Sequence, residues 1–273
     1  MKILQLTIAL VIVFTSNISY PLKLQALPVN HHLASIKFIP PPPPNRGATG
    51  SRSGAASRGC TANSQTVTAL VPTYQTTLNS GEQTIVPITQ VWGLTNAEHP
   101  QLLFFVPYNV SSIKNIEFVL QEQTSNKNQT LYRTNLTIPE SPGIIKVNLP
   151  PTVTSLQMGT MYHWFFKVRL QCDQQQPLKL DYTEGWIQRI NQNPTLNAQL
   201  KQAQPQQKVT LYAANGVWYD AIRNLAELRL KDPQNQNLFT QWKTLLHSVG
   251  LGEIANQPII DCCQPQLNNS NSH

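Results

Sequence analysis

No aspartate or glutamate occurs before Glu82, whereas Lys2, Lys23, Lys37, Arg46, Arg52 and Arg58 do. The chain is poor in charge overall: 12% of its 273 residues are Asp, Glu, Lys or Arg, about half the roughly 25% usual in soluble domains. The formal charge of +7 therefore has a location. Taking those six residues from the 20 basic ones leaves 14 against 13 acidic residues. A nearly neutral body lacks the broad basic face that phosphate binding needs, so no nucleic-acid partner is expected. Catalytic signatures are missing as well: there is no Gly-x-Ser-x-Gly, His-Glu-x-x-His, Rossmann glycine pattern or Walker lysine. No cofactor, metal site or catalytic residue is expected.

Long apolar runs are equally scarce. The one at the start, Ile3–Phe14 behind Lys2, is apolar except for Gln5 and Thr7 and covers 12 residues. That is too short for the about 20 residues of a bilayer-spanning helix and fits a signal-peptide core. We expect a signal peptide over residues 1–26, export to the periplasm, cell surface or medium, and no membrane span in the mature chain. Residues 27–59 read as a linker, with a five-proline run at Pro40–Pro44 that favours stiff polyproline II. Behind it, small residues carry an arginine at every sixth position: Arg46, Arg52 and Arg58. Two readings of this stretch are open, a flexible exposed tether and a basic arm for an anionic glycan, lipid or partner; the tether is preferred.

Cysteine is limited to Cys60, Cys172, Cys262 and Cys263. An even number in an exported chain reads as two disulfides. One of the three pairings joins the adjacent Cys262 and Cys263; the other two tie them to Cys60 and Cys172. The expectation is a clamp in which each vicinal cysteine bonds a distant one and holds the C-terminal segment to the rest. A free Cys60 is the competing possibility, and zinc is disfavoured because no Cys-x-x-Cys spacing occurs.

What is present is β-pattern. Strands are expected at Thr66–Thr73, Gln101–Tyr108, Asn115–Gln123, Gln129–Ile138, Ile144–Leu149, Met161–Cys172 and Thr183–Ile190. Alternation shows in Ile116, Phe118 and Leu120 and in Tyr162, Trp164, Phe166, Val168 and Leu170. Leu156, Gly159 and Tyr162 open one of these strands in the pattern of a tyrosine corner. The spacing changes after Asn193-Pro194. Trp218, Ala221, Ile222, Leu225 and Leu228, with Asn215 as cap, form one helical stripe. Leu238, Trp242, Leu245, Leu246 and Val249 form a second, closed by Gly250-Leu251-Gly252. The fold class expected is mainly β with an α-helical C-terminal part: an immunoglobulin-like antiparallel β-sandwich over 60–192, a helical hairpin packed on it over 193–263, and a tail over 264–273. A generic antiparallel barrel is the alternative.

Few residues invite chemistry. Alternation puts His163 opposite Tyr162 and Trp164, hence outward, where a histidine serves as base, ligand or plain surface residue. Glu98-His99-Pro100 precedes a strand and offers an acid–base pair without a nucleophile. Asp181, Glu184 and Asp220 are candidate paired carboxylates if the fold gathers them. Trp92, Trp164 and Trp186 are candidate stacking platforms for sugar rings. The candidate ligand-contact set is Trp92, His99, His163 and Trp186.

Several short stretches together resemble the cyanobacterial domain-of-unknown-function family 928. They include Gly93-Leu94-Thr95, Phe105-Val106-Pro107-Tyr108, Tyr162-His163-Trp164, Gly185-Trp186-Ile187-Gln188-Arg189, Trp218-Tyr219-Asp220 and Cys262-Cys263. The resemblance runs from about residue 41 to Cys263 and implies an exported protein with no assigned activity or ligand. The function expected is a non-enzymatic interaction module that binds an envelope or secreted protein. A carbohydrate- or surface-polymer-binding protein is the alternative, and a hydrolase using His99 or His163 with a carboxylate is the third reading.

Overall fold

Alternating burial makes the strands of this computed structural model, which describes residues 36–42, 44, 48–54, 65–79, 85–124, 127–191, 193–263 and 265. In chain order they are β1 (Thr68–Ala69), β2 (Thr73–Asn79), β3 (Ile85–Thr95), β4 (Gln101–Val106) and β5 (Ile113–Thr124). β6 (Lys127–Leu136), β7 (Gly143–Asn148), β8 (Met161–Leu170) and β9 (Lys179–Arg189) follow. β8 buries Tyr162, Trp164, Phe166, Val168 and Leu170 and turns the intervening residues to its other face. β4 is buried at every position, as its unbroken Leu-Leu-Phe-Phe-Val run requires.

The strands form two sheets, β1-β4-β7 and β2-β3-β9-β8-β5-β6. Phe104 of β4 stacks on Phe166 of β8 at 4.1 Å between ring centroids and meets Trp164 edge-on at 5.5 Å. These aromatic contacts seal the two sheets against each other. Gly159 takes φ +77°, a turn conformation only glycine adopts without strain, and Tyr162 follows it into β8. The Tyr162 hydroxyl accepts a hydrogen bond from the Gln157 N–H at 2.8 Å, returning to backbone just upstream as a tyrosine corner does.

The structure departs from the sequence reading in four places. β2 and β3 form a hairpin where no strand was expected between Thr73 and Gln101, and β3 pairs with β9 in parallel, Trp92 opposite Trp186, so the larger sheet is mixed rather than antiparallel. Part of the expected tether is built into the body. Ile36, Phe38 and Ala48 are buried, and Thr49, Ser51 and Ser53 make bridges to Gln90, Glu184 and Thr68. Cys262 and Cys263 are bonded to each other, so neither reaches a distant cysteine and the clamp is not formed. Cys172 is held in a disulfide as well. The expected signal peptide (1–26), much of the 27–59 linker, Cys60 and all of the 264–273 tail but Pro265 lie outside the described residues.

The fourth difference is helical. Beyond the expected pair, α3 (Trp218–Lys231) and α4 (Gln236–His247), two shorter helices precede them: α1 (Pro194–Gln202) and α2 (Pro205–Ala214). Each begins with proline at its first position, where a missing N–H costs nothing. Asn193 caps α1 by accepting from the Leu196 N–H at 2.7 Å. Asn215 ends α2 instead of opening α3, whose N-cap is Val217. α3 lies against β3 and β4. The Tyr219 hydroxyl accepts from Trp164 Nε1 at 3.0 Å and donates to the Trp186 carbonyl at 3.1 Å, while Trp218 Nε1 donates to the Leu70 carbonyl at 2.8 Å. Strands and helices consequently share one apolar core.

Candidate functional site

The outward face of the larger sheet is set by the registers of β5, β8 and β9. Across it, Asn115 lies beside Arg169 and Leu180, Glu117 beside Lys167 and Tyr182, Val119 beside Phe165 and Glu184, and Gln121 beside His163 and Trp186. β9 has an inverted pattern in its first half. Asp181 and Thr183 are buried, whereas Leu180 and Tyr182 are 45% and 43% exposed; Leu178, one step before the strand, is 52% exposed.

The inversion has a visible cause. Asp181 accepts from the Val67 N–H at 2.8 Å and from the Tyr108 hydroxyl. The Thr183 hydroxyl lies 2.5 Å from the Ser51 carbonyl and 2.8 Å from that of Arg52. Gly54 packs so close that a Cβ there would sit 1.8 Å from Asp181 Oδ1. The inward polar residues thus strap the segment Ala48–Gly54 to the sheet. Parity then sends Leu180 and Tyr182 outward.

His163 lies on this face, as alternation predicts. Its ring stacks on Trp186 at 4.2 Å, with Phe165 at 4.1 Å on another side. Burial pushes its pKa down to about 4, so the ring is neutral at pH 7, and burial raises that of Glu184. Nε2 and Glu184 Oε2 are 3.1 Å apart but are not aligned as a hydrogen bond. A neutral imidazole beside a carboxylate has the makings of a general base. Here it sits flat on an open sheet between two aromatic rings, and the Ser51 hydroxyl nearby donates to the Ser53 carbonyl.

The other sequence candidates are dispersed. Asp181 points inward and Glu184 outward, as their odd separation along one strand dictates, and Asp220 is buried at the start of α3. Asp220 accepts from the Thr95 hydroxyl at 2.7 Å and the Asn96 N–H at 3.0 Å, joining α3 to the end of β3. His99 Nε2 donates to the Val153 carbonyl at 2.8 Å, and Glu98 pairs with Arg189 at 2.9 Å. Both hold loops together. Trp92, Trp164 and Trp186 are all buried, so none offers an open ring face to a sugar.

A cleft that the sequence reading did not single out lies elsewhere. It encloses about 420 Å³ between Arg52, Thr66, Thr68, Phe105, Leu251 and Glu253. Arg52 reaches it from the strapped segment, donating to the Val249 carbonyl at 2.7 Å and the Gly250 carbonyl at 3.3 Å. The regular Arg46, Arg52, Arg58 spacing was its only trace in the sequence.

The model of a family described as Domain of Unknown Function (DUF928) matches residues 53–259. The chain belongs to that family. The DUF928 match takes in every strand, all four helices and the whole outward face. It begins one residue after Arg52 and ends before Cys262 and Cys263. No protein with a curated description matches the chain. Among the described residues no helix is long and apolar enough to cross a membrane.

Proposed function

We propose that this protein is an exported cell-envelope or secreted module that binds another protein through the outward face of β8 and β9, with no catalysis of its own. The inverted half of β9 carries the reading. Its inward positions are occupied by residues that strap the N-terminal segment, but nothing about that strap requires Leu178, Leu180 and Tyr182 to be apolar. A merely solvated strand face would carry Lys, Thr or Ser there, whereas a contiguous exposed apolar patch marks a contact surface. Lys167 lies beside Tyr182 and Arg169 beside Leu180. Among the described residues no carboxylate is within ion-pair distance of Arg169. The partner that fits is a protein presenting an apolar patch bordered by carboxylates.

The same reading takes the two sheets as an immunoglobulin-like sandwich. The order β1-β4-β7 opposite β9-β8-β5-β6, with a tyrosine corner at the start of β8, supports it. Sandwiches of this kind commonly use a sheet face or its loops to bind.

The test is crosslinked capture from envelope extract with the tagged full chain and with Leu180→Lys/Tyr182→Thr. The expected result is a partner held by the unsubstituted protein, weakened by salt, and lost with the double variant at an unchanged unfolding midpoint. The same partners captured by the variant, or the chain found unprocessed in the cytoplasm, would overturn the proposal.

A further inference from the structure

The cleft at Arg52 combines three features that one small ligand class satisfies together. The first is a cation held in place without an acid. The guanidinium spends one donor on each of the Val249 and Gly250 carbonyls, out of five that the group carries. Arg52 is only partly exposed, and among the described residues no carboxylate lies within ion-pair distance of it. A guanidinium fixed in this way keeps a pre-oriented edge for a carboxylate, which it binds bidentately.

The second feature is an acid. Glu253 stands on the single helical turn Gly252–Ile254, exposed at the rim, again with no cation in ion-pair distance among the described residues. The third is the apolar lining of Phe105, Leu251 and Ile254, largely buried, with the hydroxyl-bearing Thr66 and Thr68 lining the same cleft. The volume of about 420 Å³ lies within the roughly 300–1,000 Å³ of small-molecule sites.

These features choose between ligands. A phosphate or other dianion would suit Arg52 but would be repelled by Glu253, and the sequence around Arg52 has no phosphate-cradling loop. An apolar molecule would take water from the guanidinium's remaining donors without pairing them, at a cost the Val249 and Gly250 carbonyls offset only in part. We propose that the cleft binds a small zwitterion of the α-amino-acid class. Its carboxylate lies on Arg52, its ammonium on Glu253, and its aliphatic side chain against Phe105, Leu251 and Ile254. The site is distinct from the outward face of β8 and β9, so this inference stands or falls apart from the proposed function.

Calorimetric titration of the full chain with L-leucine is the test. Saturable binding is expected, with L-leucinamide, which lacks the carboxylate, and N-acetyl-L-leucine, which lacks the ammonium, each at least tenfold weaker. Glu253→Gln keeps the Arg52 contacts to Val249 and Gly250, so the ligand-free melting temperature should not change. In that variant leucine and N-acetyl-leucine should bind alike. A purely structural role for Arg52, latching the N-terminal segment to the end of α4, gives a different outcome. No saturable leucine binding, or equal binding of leucine and leucinamide, would establish that role and overturn the proposal.

Discussion

Tyr162 shows how one hydroxyl can be legible in the sequence while its chemistry is not. The spacing Leu156, Gly159, Tyr162 marks the corner but carries no sign of which way its hydrogen bond runs. In the structure the hydroxyl accepts from Gln157, because the upstream group that faces it is an N–H. Tyr162→Phe leaves that part-buried N–H without its partner and is expected to cost about 1–3 kcal/mol. The check is a denaturation midpoint that falls with an unchanged slope; an unmoved midpoint would mean that the corner contributes nothing. Asp220 is a buried carboxyl whose charge state bears on stability. Burial pushes its carboxyl up to about 6, against the opposing hydrogen bonds of Thr95 and Asn96. The folded state therefore keeps its proton between about pH 4 and 6, where the unfolded chain has released it. The contribution of this group to stability is present at low pH and is lost as pH rises through 6. Asp220→Asn removes the effect, so the variant should gain on the unsubstituted protein between pH 4 and 7.5. The relative gain is on the order of 2–3 kcal/mol, read from urea midpoints at the two pH values; a pH-independent difference would contradict the assignment. His163 works in the opposite sense. Its folded value near 4 means that stability is lost as pH falls from about 6.5 toward 4.

At the scale of elements, the strands with one clean apolar face were readable and the ones with borrowed partners were not. β5 and β8 announce themselves because Ile116, Phe118 and Leu120, or Tyr162 through Leu170, alternate without interruption. β2 and β3 do not, since Thr, Gln and Pro break up their apolar residues, and Trp92 of β3 pairs with Trp186 of β9 across more than 90 intervening residues. α3 and α4 were visible from their Trp and Leu stripes. α1 and α2 were missed because each buries only two residues, Leu196 with Leu200 and Val209 with Ala213, on otherwise polar surfaces. Beside the Asp220 and Trp218 hydrogen bonds, one hydroxyl joins α3 to two strands at once. Tyr219 bonds both Trp164 Nε1 and the Trp186 carbonyl, all of them buried. Tyr219→Phe keeps the ring and orphans both partners, so a loss of about 1–3 kcal/mol is expected. Hydrogen exchange should then quicken in α3 and α4 before β5 and β8; uniform protection would show that the Tyr219 hydroxyl is not what holds the helices to the strands.

For the whole molecule, the disulfide framework is the clearest departure. A clamp from Cys262 and Cys263 to distant cysteines would have closed loops of about 90 and 200 residues, each worth roughly 4–5 kcal/mol in the chain-entropy model. The vicinal bond closes almost no loop, and the C-terminal segment is held instead by packing and by backbone pairing of Ile259 and Ile260 with Ile144. Non-reducing peptide mapping should return Cys262 and Cys263 bonded within one peptide; a crosslink from either to Cys172 would restore the clamp. The sequence by itself determined the β-rich class, the inner faces of β5 and β8, the two main helical stripes and the family, because alternation, helical spacing and short motifs are local properties. Tertiary structure alone decided the parallel β3–β9 pairing, the strapping of Ala48–Gly54, the outward turn of Leu180 and Tyr182, and the placing of Arg52 and Glu253 on one cleft. Each of these depends on which distant segment supplies a hydrogen-bond partner, and a pattern read along one segment carries no record of that.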